Sequence, residues 1–338
     1  MIKNFIIGKR SNLSKNLKKI IPNSILISLK EKKDVEILIK EKKRYNVIFN
    51  NFYPVSRLNE ISTNNLDIFI NQSIALSAFF LKRLNFKLVN KILYTSSSSV
   101  YDSIDNTKFS KDTFNRKLYA ALKLSNEKLF LNTANSKKVQ CHIIRLFNLY
   151  GDEDNFSILQ KIINSYLHKK KFILFNNGDG IRDFIHVLDV CKIYKSILNS
   201  KKNLPNYLDL GSGSGISIKS ILDYIKFPKR KTIYKKINLD ETFSSIADVN
   251  WLNDIKYKDR FDLKLENFLQ KKIKKKLFGQ ISRFQNEKKN RIEGSNEGVV
   301  IYGAGNAGKQ IYNELIKNKE NVLFFIDDNI SLNNSSFN

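Results

Sequence analysis

The chain has 338 residues, 42% hydrophobic and 27% charged, enough to bury one large core or two moderate ones without metal or disulfide support. Its formal charge of +27 would ordinarily point to nucleic acid, but the Lys and Arg residues are scattered among Asn and Ile with no base-reading motif beside them, so that class is set aside. Cys141 and Cys191 lie in apolar runs, the N-terminal apolar run is too short for a signal peptide and none approaches the ~18 residues of a membrane span, so a cytoplasmic protein with no transmembrane segment is expected.

Along the chain, short apolar runs alternate with longer periodic segments. Strands are predicted at 4–8 (NFIIG), 24–28, 46–50, 91–96 (KILYTS) and 141–147 (CHIIRLF), with helices at 12–20, 33–43, 64–85 and 116–134. This is an α/β doubly wound parallel sheet, whose ligand should lie beyond the carboxyl ends of the strands. The expected boundaries are a doubly wound domain at 1–150 and a smaller, mixed α/β substrate region at 151–270. A basic linker follows at 271–297, its charge run read as a solvated helix end. The stretch 298–338 starts again as strand, glycine turn, helix and strand, with Gly303, Gly305 and Gly308 spaced G-x-G-x-x-G and Asp327 about twenty residues on from them. It reads as the truncated start of a second Rossmann-like βαβ unit.

A polar run, TSSSSVYDS (95–103), ends the fourth strand and puts Ser97 at the carboxyl edge of the sheet. On the next helix Tyr119 and Lys123 are four residues apart and share a face. An ammonium beside a phenol favours phenolate, and is expected to draw Tyr119 from its ordinary value of about 10 toward neutrality. Tyr119 could then exchange a proton with a substrate hydroxyl that Ser97 holds by hydrogen bond. Alone, Y-x-x-x-K is weak in a chain rich in both residues; joined to the serine-rich strand end it becomes specific.

The segments KILYTSSSSVYDS, YAALKLSNEKL, IIRLFNLYGDED and NNGDGIRDFIHVLDV resemble, in order and spacing, the extended short-chain dehydrogenase/reductase family of nucleotide-sugar epimerases, dehydratases and reductases. The resemblance runs over about residues 1–270. It implies a Rossmann domain holding NAD or NADP, a nucleotide-diphosphate sugar as substrate, and a homodimer. It also implies catalytic roles for Ser97, Tyr119 and Lys123, with Tyr119 and Lys123 also at the cofactor, Lys123 on the nicotinamide ribose, and substrate contacts from Ser97, Asn148 and Arg182. A guanidinium fork suits a diphosphate on independent grounds, against an ion pair of Arg182 with Asp183; Asn148 could equally cap a turn. His186 reads as a core histidine, and Asp189 as a structural pairing partner.

The chain also departs from the family pattern. Its first turn, GKRSNLS, keeps Gly8, but Ser11 and Ser14 stand where the second and third glycines belong. Their hydroxyls could bond phosphate, although each adds a Cβ where the backbone should approach it. No acid ends the second strand, and Arg10 matches a basic position of GDP-fucose synthase-like reductases, which tilts the expectation toward NADP. Ser98 and Ser99 occupy the Asp-Glu positions of 4,6-dehydratases, which disfavours elimination. Ser244 and Ser245 stand where a second basic diphosphate clamp is expected. The 298–329 stretch resembles the start of a nucleotide-binding domain of capsular-polysaccharide type. The reading is an NAD(P)-dependent nucleotide-sugar epimerase or ketosugar reductase serving surface polysaccharide synthesis, with a catalytically silent sensor or scaffold as the alternative.

Overall fold

The computed structural model describes residues 2–50, 65–101, 114–152, 154, 157–236, 244–255, 257, 264–273, 299–302, 306–317 and 322–326. Two compact units emerge, Met1–Lys272 and Ile273–Asn338.

In the first unit, strands β1 (Lys3–Ile7), β2 (Ser24–Ile27), β3 (Tyr45–Phe49), β4 (Val89–Ser97) and β5 (Gln140–Leu146) alternate with helices α1 (Asn12–Ile20), α2 (Lys32–Ile39), α3 and α4 (Phe114–Ser136). Helix α3 runs Leu66–Ile70, passes through a π turn at Asn71–Ala75 and continues over Leu76–Leu81. All these strands are parallel, because each reaches the next through a helix rather than a tight turn.

The side-chain period of two explains why both sheet faces are covered. Ile6, Ile48, Leu93 and Ile144 point to one side and pack with Leu13 and Leu17 of α1. Phe5, Ile7, Val47, Phe49, Ile92, Tyr94 and Ile143 point to the other and pack with residues of α2, α3 and α4. Both cysteines are buried, and burial pushes each thiol up to about 12.

The sheet does not stop near residue 150. Its strand order is β2-β1-β3-β4-β5 and then β9 (Tyr207–Leu210), reached after β6 (Asn148–Tyr150), α5 (Ile158–Leu167), β7 (Phe172–Phe175), β8 (Ile181–His186) and α6 (Val187–Asn199). Helix α6 supplies Val190, Ile193, Tyr194 and Ile197 to the same core as α1. The region predicted as a substrate domain therefore lends a strand and a helix to the main layer.

The remaining strands form small sheets. β8 pairs with β6, with β10 (Gly215–Ser217) and with β12 (Ser244–Ser245), while β7 pairs with β11 (Thr232–Lys235). Helix α7 (Ile218–Tyr224) follows β10. A buried joint locks the β8 sheet to the segment after β9: the carboxylate of Asp183 accepts from Ser212 N–H (2.7 Å), Ser212 Oγ (2.6 Å), Gly213 N–H (2.9 Å) and Ala247 N–H (3.1 Å).

The second unit contains β13 (Val299–Tyr302), α8 (Asn306–Lys317) and β14 (Val322–Ile326), with the two strands parallel. That is the βαβ order expected there. Gly308 falls within α8, whereas Gly303, Gly305 and Asp327 lie outside the described residues, as does most of the 271–297 stretch. Among the described residues, no helix is long and apolar enough to cross a membrane.

Candidate active site

The chain runs from β1 outward to β2, then returns to place β3 on the other side of β1. Such a reversal leaves a crevice at the carboxyl ends of the two strands. Gly8 turns out of β1 at φ +106, a conformation that favours glycine, and its N–H donates to Ile27 O. Ser11 then caps α1, its hydroxyl accepting from Ser14 N–H at 3.0 Å. Asn50, the first residue past β3, donates to both Ser11 Oγ (2.7 Å) and Ser14 Oγ (2.9 Å).

The two serines that replace glycine are thus bound into one polar cluster across the crevice, with Ser14 fully buried. Sequence reasoning missed Asn50; its position at the end of the third predicted strand was the available signal. A glycine turn feeding a helix N-terminus at the switch point fits a dinucleotide, with Ser11 at its mouth.

Arg10 is exposed beside this turn. Its neighbour Lys9 bonds Glu31 (2.9 Å) and Asp34 (3.1 Å), which lie just beyond β2. Asp34 also accepts from Ser28 N–H. Carboxylates therefore do gather past the second strand, four and seven residues after its last residue, where a search of the strand end alone overlooks them. The premise for preferring NADP is weakened accordingly.

At the end of β4, Ser97 Oγ lies 3.0 Å from Ser99 Oγ and accepts from Ser99 N–H at 3.2 Å. Helix α4 buries Tyr119, Lys123, Glu127 and Phe130, residues spaced three or four apart and so sharing one face. Tyr119 lies near enough to Ser97 for that hydroxyl to favour its ionised form, and its ring packs with Phe69 from the segment of α3 just before the π turn. Lys123 Nζ donates to Thr95 O at 2.8 Å and lies 6.0 Å from the centre of the Tyr119 ring. The three residues singled out in the sequence are therefore neighbours.

Their electrostatics run opposite to the expectation. Burial drives Tyr119 up to about 12, with the nearby Ser97 hydroxyl pulling only partly back. Burial likewise drives Lys123 down to about 7, opposed by the negative charge of Glu127. Desolvation penalises both charged forms, and outweighs the mutual attraction that ammonium and phenolate would have.

A pH signature follows. An amine with a folded pKa below its unfolded one costs stability in full below about pH 7, and the cost fades as pH rises toward 10.5. A phenol raised from 10 to about 12 gives stability that is present below pH 10 and is lost as pH rises through about 12. Urea midpoints are expected to rise from pH 7 to 10 and fall beyond, and Lys123→Met should flatten the rise. An unchanged rise in that variant would contradict the assignment.

On the substrate side, Asn148 Nδ2 donates to Asp183 O at 2.9 Å, tying β6 to β8. Arg182 Nη1 donates to Ile181 O at 2.8 Å, whereas the Asp183 carboxylate takes its four bonds from Ser212, Gly213 and Ala247. Ser245 sits opposite Arg182 in the β8–β12 register. His186 caps α6 through Nδ1 and packs against Tyr150; burial lowers it to about 4, so the ring is neutral at ordinary pH. Asp189 lies 3.9 Å from Lys192.

The chain is similar to known proteins in sequence and in fold. Residues 5–210 match the model of the NAD dependent epimerase/dehydratase family. The chain is 30% identical over 141 residues to CDP-abequose synthase of Salmonella typhimurium, covering 39% of this chain and 47% of that one. It thus spans about half the length of the curated relatives it first matches. The fold resembles UDP-glucuronic acid 4-epimerase from Bacillus cereus in complex with UDP-glucuronic acid and NAD, with TM-score 0.67 and 18% identity over 81% of this chain and 99% of the other. It also resembles dTDP-glucose 4,6-dehydratase from Bacillus anthracis in complex with NAD, with TM-score 0.63 and 15% identity over 81% and 96%. At those identities the likeness concerns the fold.

Proposed function

We propose, for a chain that belongs to the NAD dependent epimerase/dehydratase family, that it binds NAD in the crevice between β1 and β3 and epimerises or reduces a nucleotide-diphosphate sugar for surface polysaccharide synthesis. The observation that carries this reading is the convergence of Ser97, Tyr119 and Lys123 at the carboxyl end of β4, with Lys123 held against Thr95 O one helical turn past Tyr119. Gly8, Ser11 and Ser14 would hold the dinucleotide, with Arg10 at the rim, and the cofactor would supply hydride acceptance and return.

Tyr119 exchanges the proton of the sugar hydroxyl, and Ser97 orients that oxygen. At neutral pH the phenol carries its proton, the form required to protonate a ketosugar oxygen. Lys123, held against Thr95 O, supplies the positive charge when protonated. Asn148 and Arg182 hold the nucleotide diphosphate. Ser98 and Ser99 offer no carboxyl pair for eliminating water, which argues against 4,6-dehydration. NAD is favoured over NADP by Glu31 and Asp34 near the first turn, where a ribose phosphate would meet their charge. The silent sensor or scaffold is disfavoured by the assembled trio.

The test is incubation with NAD and, separately, UDP-glucose, UDP-N-acetylglucosamine, UDP-glucuronic acid and CDP-linked 4-keto sugars, the last also with NADH, with the sugars resolved by chromatography. Conversion of at least one is expected. NAD binding without conversion of any of them would favour the silent module.

A further inference from the structure

Deeper on α4, one turn past Lys123, lies a charge that the trio does not include. Glu127 is fully buried, and its carboxylate accepts from Arg145 Nε (3.2 Å) and Nη2 (2.8 Å) and from Ser96 Oγ (2.5 Å). Arg145, on β5, is held in turn between two rings, its guanidinium 4.8 Å from the centre of Tyr101 and 4.6 Å from that of Tyr207. Tyr101 bonds Asp209 Oδ1 at 2.7 Å. Burial works against the guanidinium's charge, but the Glu127 bonds outweigh it and hold Arg145 above its ordinary value.

We propose that the Glu127–Arg145 pair is a positioning device for the catalytic trio, which sets how much negative charge reaches Lys123 and thereby its state of protonation. Among the described residues, three elements bring groups to Lys123. Helix α4 contributes Tyr119 and Glu127, β4 contributes Tyr94 with its ring centre 5.1 Å from Nζ, and β5 contributes Arg145 through Glu127. Burial raises Tyr94 well above its ordinary value, so it stays neutral. Among the described residues, Glu127, buried one helical turn from Lys123 on the same face of α4, is the anion that favours the ammonium, and Arg145 and Ser96 are the groups that damp it.

This arrangement makes a prediction that packing alone does not. Removing the carboxylate and removing its counterion should move Lys123 in opposite directions, because the two partners act on it with opposite sign. A purely structural ion pair would show loss of stability in both variants with no such divergence.

The proposal rests on Lys123 belonging to the catalytic trio, but its test needs neither cofactor nor substrate. Its failure is therefore separable from failure of the epimerase reading, which the sugar-nucleotide assay decides. The full chain is labelled with 13Cε-lysine, Lys123 is assigned by the signal lost in Lys123→Met, and its titration is followed by NMR. Glu127→Gln is expected to lower the Lys123 midpoint by about one pH unit, and Arg145→Met to raise it by about one. The double variant should lie between the two single variants, since it removes both charges. Ser96→Ala, a smaller change that keeps the ion pair, should shift the midpoint upward and serves if Arg145→Met does not fold. Midpoints that stay put, or that move the same way in Glu127→Gln and in the Arg145 or Ser96 variant, would overturn the proposal.

Discussion

Replacing Tyr119 by Phe is expected to lower turnover of an accepted nucleotide sugar by about 10³-fold, within the range for loss of a positioned acid–base group. The change removes one oxygen and keeps the ring that packs with Phe69, so α4 has no reason to shift. Binding of NAD should be little altered, since the dinucleotide crevice is built from β1, α1 and β3. The loss should therefore appear in kcat rather than in the dissociation constant of the cofactor. Ser97→Ala should act in the same direction and more weakly, because one hydrogen bond to the reacting oxygen is removed while the proton carrier stays. Full turnover by Tyr119→Phe would remove the assigned role.

Asp183→Ala should produce the largest loss of stability, on the order of 4 kcal/mol, read as a lower urea midpoint. Asp183 is fully buried, and its carboxylate satisfies three backbone N–H groups and one hydroxyl from two segments that are otherwise loops. Truncation leaves those donors without their acceptor, the buried Ala247 N–H among them. Gly211→Ala reaches the same joint from another side, since a Cβ there would stand 2.3 Å from Asp183 Oδ2 and 2.7 Å from the Ala247 side chain. A midpoint unchanged in Asp183→Ala would show that the joint contributes nothing net.

What the sequence made legible follows from which physical signals are local. The strands β1, β3, β4 and β5 announce themselves because each is a short run of apolar residues covered on both faces, and α1 is legible over 12–20 from its apolar period. The trio was legible because Y-x-x-x-K is a one-face spacing on a helix and TSSSS ends a strand. Less visible was the return of the chain to the main sheet through α6 and β9, since pairing between residues 143–146 and 207–210 leaves no mark in either segment. Glu31 and Asp34 were overlooked because their proximity to Lys9 depends on how the chain turns after β2. The acidity of Tyr119 was misjudged for a related reason. Spacing shows that an amine is near, but only the packed structure shows that both groups are buried, which reverses the sign.

A structure with NAD and an accepted nucleotide sugar tests the central claim most directly. It should show Tyr119 Oη and Ser97 Oγ both within hydrogen-bond reach, ~2.6–3.2 Å, of a single sugar oxygen, with the dinucleotide lying over Gly8 and Ser11. A sugar bound with its reacting oxygen away from Tyr119, or a dinucleotide seated elsewhere than the crevice between β1 and β3, would contradict the account.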